Sequence, residues 1–251
     1  MHITERERCF FDALWQQTRP HMVEGRLEIP CVPSLEGKRV LICSCGSGVE
    51  PVLAARAGAR VFAFDISETA VEKAREMADH NGVAVDAQVM DFHALQYEDN
   101  SFDIMYGSAI LHHVDVALAG REMLRCLKPG GIAYFHENSD RNPILRFLRR
   151  VMFGRPNGYQ KQQFLFLKRT GDSDEYPLTE HEVRQLESIF NGHMRRYNSR
   201  FEFFHLLSRI MPDNKLLSSL LWNADTLIGR LFPCLKPYSF TQQILLEKPC
   251  D

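Results

Sequence analysis

The sequence predicts an α/β fold: a doubly wound, mostly parallel seven-stranded sheet carrying a helical cap. Three observations predict it. From Arg39 to Glu137, apolar strand-like runs alternate with helical runs. Glycines and capping residues sit where one element must end and the next begin. After Glu137 the alternation stops and a less regular, helix-rich region follows.

The elements follow in order. Thr4 and Glu7 form a capping box, and Phe10, Phe11, Leu14 and Trp15 recur at helical spacing, so residues 4–18 are expected to be a helix with an aromatic face. A proline-containing linker, Pro20 to Pro33, leads to Gly37. "RVLICS" reads as a buried strand, "VEPVLAARAG" as a short helix ending at Gly58, and "RVFAFD" as the second strand. Ser67 caps "ETAVEKAREMADHNG", which ends at Gly82. "AVDAQVM" and "FDIMYGS" are the third and fourth strands. "VALAGREMLRCLKPGG" is a helix stopped by Pro129 and two glycines, and "IAYFHE" is the fifth strand. Right-handed crossovers place the helices on both faces. Thr179 and Glu182 make a second capping box for a helix through Phe190. "MRRYNSRFEF" is a sixth strand, Leu206 to Leu231 an apolar helical region, and "SFTQQILLEK" the last strand. Residues 1–36 are thus an N-terminal helical lid, 37–137 the core, 138–235 a cap and substrate region with sheet-completing elements, and 236–251 the C-terminal strand.

Composition narrows the function classes. With 45% hydrophobic and 25% charged residues, 251 residues can bury a full core. A net charge of -2 lacks the basic surface that nucleic-acid phosphates require. The charged N-terminus is no secretory signal, and no run of about 18 apolar residues offers a membrane span. Seven cysteines, an odd number, point to reduced thiols and a cytoplasmic setting.

In an open α/β sheet, ligands lie outside the carboxyl ends of the strands, where strand order reverses. The first strand ends in Ser44-Cys45-Gly46-Ser47-Gly48, a turn that admits close backbone approach and positive φ. The dinucleotide fingerprint fails, because its third glycine position is Pro51. Asp65 ends the second strand, where a carboxylate can accept from both ribose hydroxyls. Asp91-Phe92, after the third strand, supplies an acceptor for an exocyclic amine and a ring edge. "GSAILHHVD" follows the fourth strand.

Together, "VLICSCGSG", "VFAFDIS", "VMDFHAL", "SFDIMYGSAILHHV" and "EMLRCLKPGGIAYFHE" resemble the class I S-adenosylmethionine-dependent methyltransferases of the small-molecule, type 11 kind, over about residues 37–137. The resemblance implies a Rossmann-like methyltransferase fold, S-adenosyl-L-methionine as cofactor, and a small-molecule O, N or C acceptor. It implies that Cys45 to Gly48 contact the methionine and ribose parts. Asp65 would hold the ribose diol, with Ile66 against the adenine. Asp91 would accept from the adenine amine beside Phe92. Ser108, Ala109 and Ile110 would lie under the sulfonium, and His113 near the methyl group. Two positions depart from the family pattern: Ile42 stands where an acid is usual, and Ser44 where glycine is usual. The missing acid normally orders the cofactor's ammonium, and Glu50 is a candidate substitute.

Further candidates carry two readings each. His113 is either a general base or a loop residue that positions the cofactor; His112 reads as a loop residue. Cys43 and Cys45 form a CxC without two further ligands at matching spacing, so no metal is expected. Arg141 to Arg169 holds eight Lys and Arg and no acid, which suits either an anionic substrate or a solvated cap face. Asn138 and Tyr176 are the substrate-side candidates, the latter by cation–π attraction to a sulfonium. The aromatic face of the first helix is a lid or a dimer contact, and the oligomeric state stays open. Two other functions compete with methyl transfer. One is cyclisation of the cofactor's tail with release of methylthioadenosine, as in azetidine-2-carboxylate synthases. The other is a non-catalytic cofactor-binding module.

Overall fold

The computed structural model describes residues 3–153, 163–164, 167–168, 176–208 and 215–250; the side chains of 3–7, 152–153, 163–164, 167–168 and 207–208 lie outside that description. The Thr4–Glu7 capping box and the basic stretch beyond Phe153 therefore fall largely outside it. The elements are α1 (Ile3–Trp15), β1 (Arg39–Cys43), α2 (Val49–Arg56), β2 (Arg60–Asp65), α3 (Glu68–His80), β3 (Val85–Val89), β4 (Phe102–Ser108), α4 (Val116–Cys126) and β5 (Leu127–Asn138). Beyond them come α5 (Pro143–Phe153), the short pair β6 (Gln163–Phe164) and β7 (Leu167–Lys168), α6 (Glu180–Ile189), β8 (Met194–Tyr197), α7 (His205–Ser208), α8 (Lys215–Leu231) and β9 (Thr241–Glu247).

Seven strands form one sheet in the order β3-β2-β1-β4-β5-β9-β8. β1 to β5 are mutually parallel, and β9 runs antiparallel to both its neighbours. The expected mixed, doubly wound sheet is therefore observed. Chain order turns back between β1 and β4, so the crevice at their carboxyl ends is the switch point.

Each face of the sheet has its own core. Leu41, Cys43, Phe64, Met105 and Phe135 pack with α4 and α6 residues such as Met123 and Leu186. Val40, Ile42, Cys45, Ala63 and Tyr134 pack on the other face with α2 and α3. The two CxC thiols thus enter different clusters, and burial pushes both pKa values well up. They do not converge on a common ion.

Three expectations need correction. The region read as a linker is a packed strap: Leu27, Ile29 and Leu35 are buried in the second core, Leu27 N donates to Leu53 O at 2.9 Å, and Val23 N donates to Asn81 Oδ1 at 2.8 Å. Its apolar residues share that core with residues of α2 and α3. α4 ends at Cys126, not at the glycines. Lys128 precedes proline, which disfavours helix there, and Leu127 is already extended and paired with Phe102. β8 takes only the first four residues of its expected run.

Gly48 shows how the turn after β1 is built. It caps α2 at φ 84°, and a Cβ added there would lie 2.7 Å from Ala74 Cα and 2.9 Å from Met77 Cβ. Its lack of a side chain serves the contact between α2 and α3. Pro51 sits in the first turn of α2, where a missing N–H costs nothing. Gly48→Ala is expected to cost about 2–4 kcal/mol from left-handed strain and overpacking together, read as a shift of the urea midpoint at unchanged slope.

Candidate functional site

A cavity of about 330 Å³ opens at the carboxyl ends of β1 and β4, within the usual range for small-molecule pockets. β1 and its turn contribute Ile42, Ser44, Gly46 and Ser47, and α2 contributes Glu50. β2 supplies Phe64, Asp65 and Ile66; the segment after β3 supplies Met90 to His93. Tyr106 and Ser108 to Ile110 come from β4 and its loop, followed by His113 and Val114. α1 contributes Phe10, Phe11, Leu14 and Trp15 to the cavity wall.

Asp65 organises one side. It is 4% exposed, and its Oδ2 accepts from Ser44 Oγ at 2.9 Å and Gly46 N at 3.1 Å, while Oδ1 accepts from Ser67 N at 3.0 Å. Burial raises its pKa, and these donors oppose the rise. Ser44 adopts φ 66°, unusual for a residue with a Cβ. Its hydroxyl bond to Asp65 helps to hold that conformation where glycine would need no help. Ser67 passes the connection to α1: its Oγ donates to Asp12 Oδ1 at 2.5 Å. Trp15 then lies over Gly46, where an added Cβ would come within 3.1 Å of the indole.

Glu137 organises the other side. This carboxylate, 1% exposed at the end of β5, accepts from Ile110 N and Leu111 N, each at 2.8 Å, and from His112 Nδ1 at 2.7 Å. It fixes the loop that carries Ala109, at φ 54°, and His113 into the cavity wall. The His113 ring meets Phe11 edge-on at 5.3 Å. His93 fixes Asp91 in a similar way. Its Nε2 accepts from Asp115 N at 2.9 Å, so Nδ1 carries the proton and donates to Asp91 Oδ1 at 2.7 Å.

The walls hold three carboxylates, Glu50, Asp65 and Asp91, and neither lysine nor arginine. Burial raises the pKa of Glu50. Tyr106 is pushed up to about 12 by burial and by the nearby Glu50 charge. Such walls suit a cation with aromatic parts and do not suit the phosphates of a dinucleotide.

Most of the residues expected at the site meet in the cavity. Cys45 and Gly48 do not line it, because Cys45 points into the core and Gly48 faces α3. Asn138 and Tyr176 are also absent from its walls. Asn138 pairs with Thr241 across β9, and Tyr176 donates to Glu182 Oε1 at 3.2 Å, beside the α6 capping box. The residues missed from sequence are Glu137, His93 and Tyr106. A charged residue closing an apolar strand was the available signal for Glu137, and the Asp-x-His spacing for His93.

Glu137→Ala strands two backbone N–H groups and one ring N–H in a buried place and is expected to cost about 3–5 kcal/mol. Glu137→Gln keeps an acceptor for the loop and is expected to cost less than half as much, both read by chemical denaturation.

Comparison with known proteins places this geometry. Residues 41–135 match a family model described as a methyltransferase domain. A ubiquinone biosynthesis O-methyltransferase of Methylocella silvestris is 37% identical over 101 residues, covering 40% of this chain and 40% of that relative. The match thus spans about two-fifths of the curated relative's length. The [4+2]-cyclase SpnF superposes with a TM-score of 0.59 at 18% identity, covering 99% of this chain and 97% of its own. A geranyl diphosphate C-methyltransferase of Streptomyces coelicolor, solved with S-adenosyl-L-homocysteine, gives 0.55 at 12% identity, covering 100% and 99%. At these identities the two structures share the fold.

Proposed function

We propose, from the premise that residues 41–135 are a methyltransferase domain whose cofactor is S-adenosyl-L-methionine, that the protein transfers a methyl group to a small-molecule acceptor. The observation that carries this reading is the cavity at the switch point, lined among the described residues by three carboxylates and by neither lysine nor arginine. It fits a ligand with a sulfonium and an ammonium. When bound, the cofactor supplies a methyl group activated by the sulfonium.

This chain's own residues then have distinct tasks. Asp65 has acceptor capacity left on Oδ1 for a ribose hydroxyl, and more on Oδ2 if Ser44 turns its hydroxyl away. Asp91 keeps its Oδ2 for the adenine amine while His93 holds Oδ1. Phe92 is largely buried, with an edge-on contact to Phe64 at 5.1 Å, so it shapes the adenine wall from behind. Ser47, Ile66, Ser108, Ala109 and Ile110 complete the adenosine and sulfonium surfaces. Glu50 holds the ammonium, taking over from the acid that Ile42 replaces. The first turn of α2 favours a carboxylate there. Trp15 and Phe11 exclude water, which strengthens each of these charge interactions. Orientation does much of the catalytic work, and His113 takes the acceptor's proton if the acceptor is a hydroxyl. The oxygen specificity named for the Methylocella relative favours that acceptor type. Free cysteines throughout fit a cytoplasmic protein.

Tail cyclisation is the second reading, favoured by Ile42. It needs an unprotonated amine, and Glu50 opposes it by favouring the ammonium. Mass analysis after incubation with S-adenosyl-L-methionine alone separates the two. Methylthioadenosine formed without an acceptor would establish cyclisation. S-adenosyl-L-homocysteine formed only with an acceptor is the expected result. Neither product, across a broad panel, would leave a binding module.

Glu50→Gln is expected to weaken S-adenosyl-L-methionine binding by about tenfold or more, the worth of a charge-assisted hydrogen bond. Methylthioadenosine, which lacks the amino-acid tail, should bind both proteins alike by calorimetry. The pH dependence has a defined sign. Holding a cation lowers the Glu50 pKa below its raised free-state value, so binding releases a proton. Affinity is full above that raised pKa and falls as pH drops through it. Asp65→Ala should abolish measurable cofactor binding; unchanged affinity would refute the site.

A further inference from the structure

α5 turns its apolar side to solvent. Among its described side chains Leu145 is buried, and Arg149 anchors it to the end of the sheet. Arg149 Nη1 donates to Ser139 O at 3.1 Å, lies 3.7 Å from Asp140 Oδ1, and its guanidinium stands 5.4 Å from the centre of the Phe240 ring. Ile144, Phe147, Leu148 and Val151 form a stripe at i, i+3, i+4 and i+7, and they are 57, 64, 38 and 60% exposed. A stripe of this spacing normally faces a core. Here it is exposed, and only its Leu148 edge, one turn from Leu145, approaches the buried side. Arg150 borders it on the Phe147 side, and Arg146 stands one turn before Arg150 on the polar side; both are exposed. The surrounding sequence from Arg141 to Arg169 holds eight basic residues and no acid, although the whole chain carries a net charge of -2.

We propose that α5 is a surface anchor that lays this stripe into an anionic phospholipid bilayer, with Arg146 and Arg150 on the headgroup phosphates. An apolar face with arginines along one side matches the boundary between acyl chains and anionic headgroups. The arginine stems add apolar contact while their heads stay wet. Among the described residues no helix is long and apolar enough to cross a membrane, so α5 lies on the surface. Charge decides against a second copy as occupant. Pairing two α5 faces would set Arg146 and Arg150 against the same basic residues, with no acid in the stretch to offset them. α8 also exposes leucines, Leu216, Leu220, Leu227 and Leu231, but its basic residues, Lys215 and Arg230, stand at opposite ends. The anchor is independent of which reaction the cavity performs.

Vesicle flotation tests it. The full chain should float with mixed phosphatidylcholine and phosphatidylglycerol vesicles, stay behind with phosphatidylcholine alone, and be released by high salt. Arg146→Ala and Arg150→Ala should each weaken partitioning by about fivefold, the effect of one basic residue near an anionic surface. Phe147→Glu should abolish flotation while circular dichroism and cofactor binding stay unchanged, since α5 lines no part of the cavity. Absence of flotation on anionic vesicles, or equal flotation of Phe147→Glu, would overturn the proposal. So would a dimer in solution that Phe147→Glu dissociates without any vesicle binding.

Discussion

Much of the site depends on the burial of Asp65. A carboxylate at 4% exposure must find donors, because leaving it unpaired in a low-dielectric place costs several kcal/mol, about the scale of a small domain's total stability. It finds three donors on two pieces of chain: the Ser44 hydroxyl and the Gly46 amide in one turn, and the Ser67 amide beyond β2. Satisfying one charge therefore fixes the turn after β1 and the start of α3 together. Through the Ser67 hydroxyl and Asp12 it also positions α1. The left-handed Ser44 becomes intelligible as part of this arrangement. Its side chain helps to offset strain that a glycine would not have.

Glu137 repeats the solution on the other side of the switch point. Both are buried carboxylates ending strands, and both accept backbone N–H groups from a loop that must hold an unusual conformation. The sheet sets the strand ends, and the carboxylates set the loops between them. The cavity is consequently firm on its two flanking walls and bordered by a helix that joins one wall through a hydroxyl. Under the proposed function, exclusion of water by Phe11 and Trp15 would act on walls whose charges are already oriented.

How much of this could be read beforehand follows from what periodicity encodes. Alternation of strand and helix patterns locates strand ends, so Asp65, Asp91 and the Ser108–Ile110 loop were found from sequence. Periodicity does not encode direction inside a turn. The left-handed step at Ser44 sends Cys45 into the core, and the contact with Ala74 assigns Gly48 to packing. Glu137 was hidden for a related reason: an acid after an apolar strand looks the same whether it meets water or three donors. Asn138 and Tyr176 were placed by strand-end position and ring chemistry. Pairing with β9 and the hydroxyl bond to Glu182 were tertiary facts with no local trace. The strap from Val23 to Leu35 looked like a linker because its prolines mark irregular backbone, and irregular backbone can still bury leucines.

The departures at Ile42 and Ser44 can now be weighed against Glu50. Ile42 is 1% exposed and packs in the second core, so an acid there would be a further buried charge close to Asp65. Like charges in one low-dielectric place raise each other's pKa. Glu50 stands instead in the first turn of α2, where the backbone dipole favours a carboxylate. Its raised pKa shows that burial still outweighs that help in the free protein. The imbalance is what a cationic tail would relieve, because a positive charge in the cavity lowers the cost of keeping Glu50 ionised. Under the proposed function the two positions have separate tasks: Ile42 fills the core beneath the cavity, and Glu50 is the wall carboxylate that a cationic tail would complete.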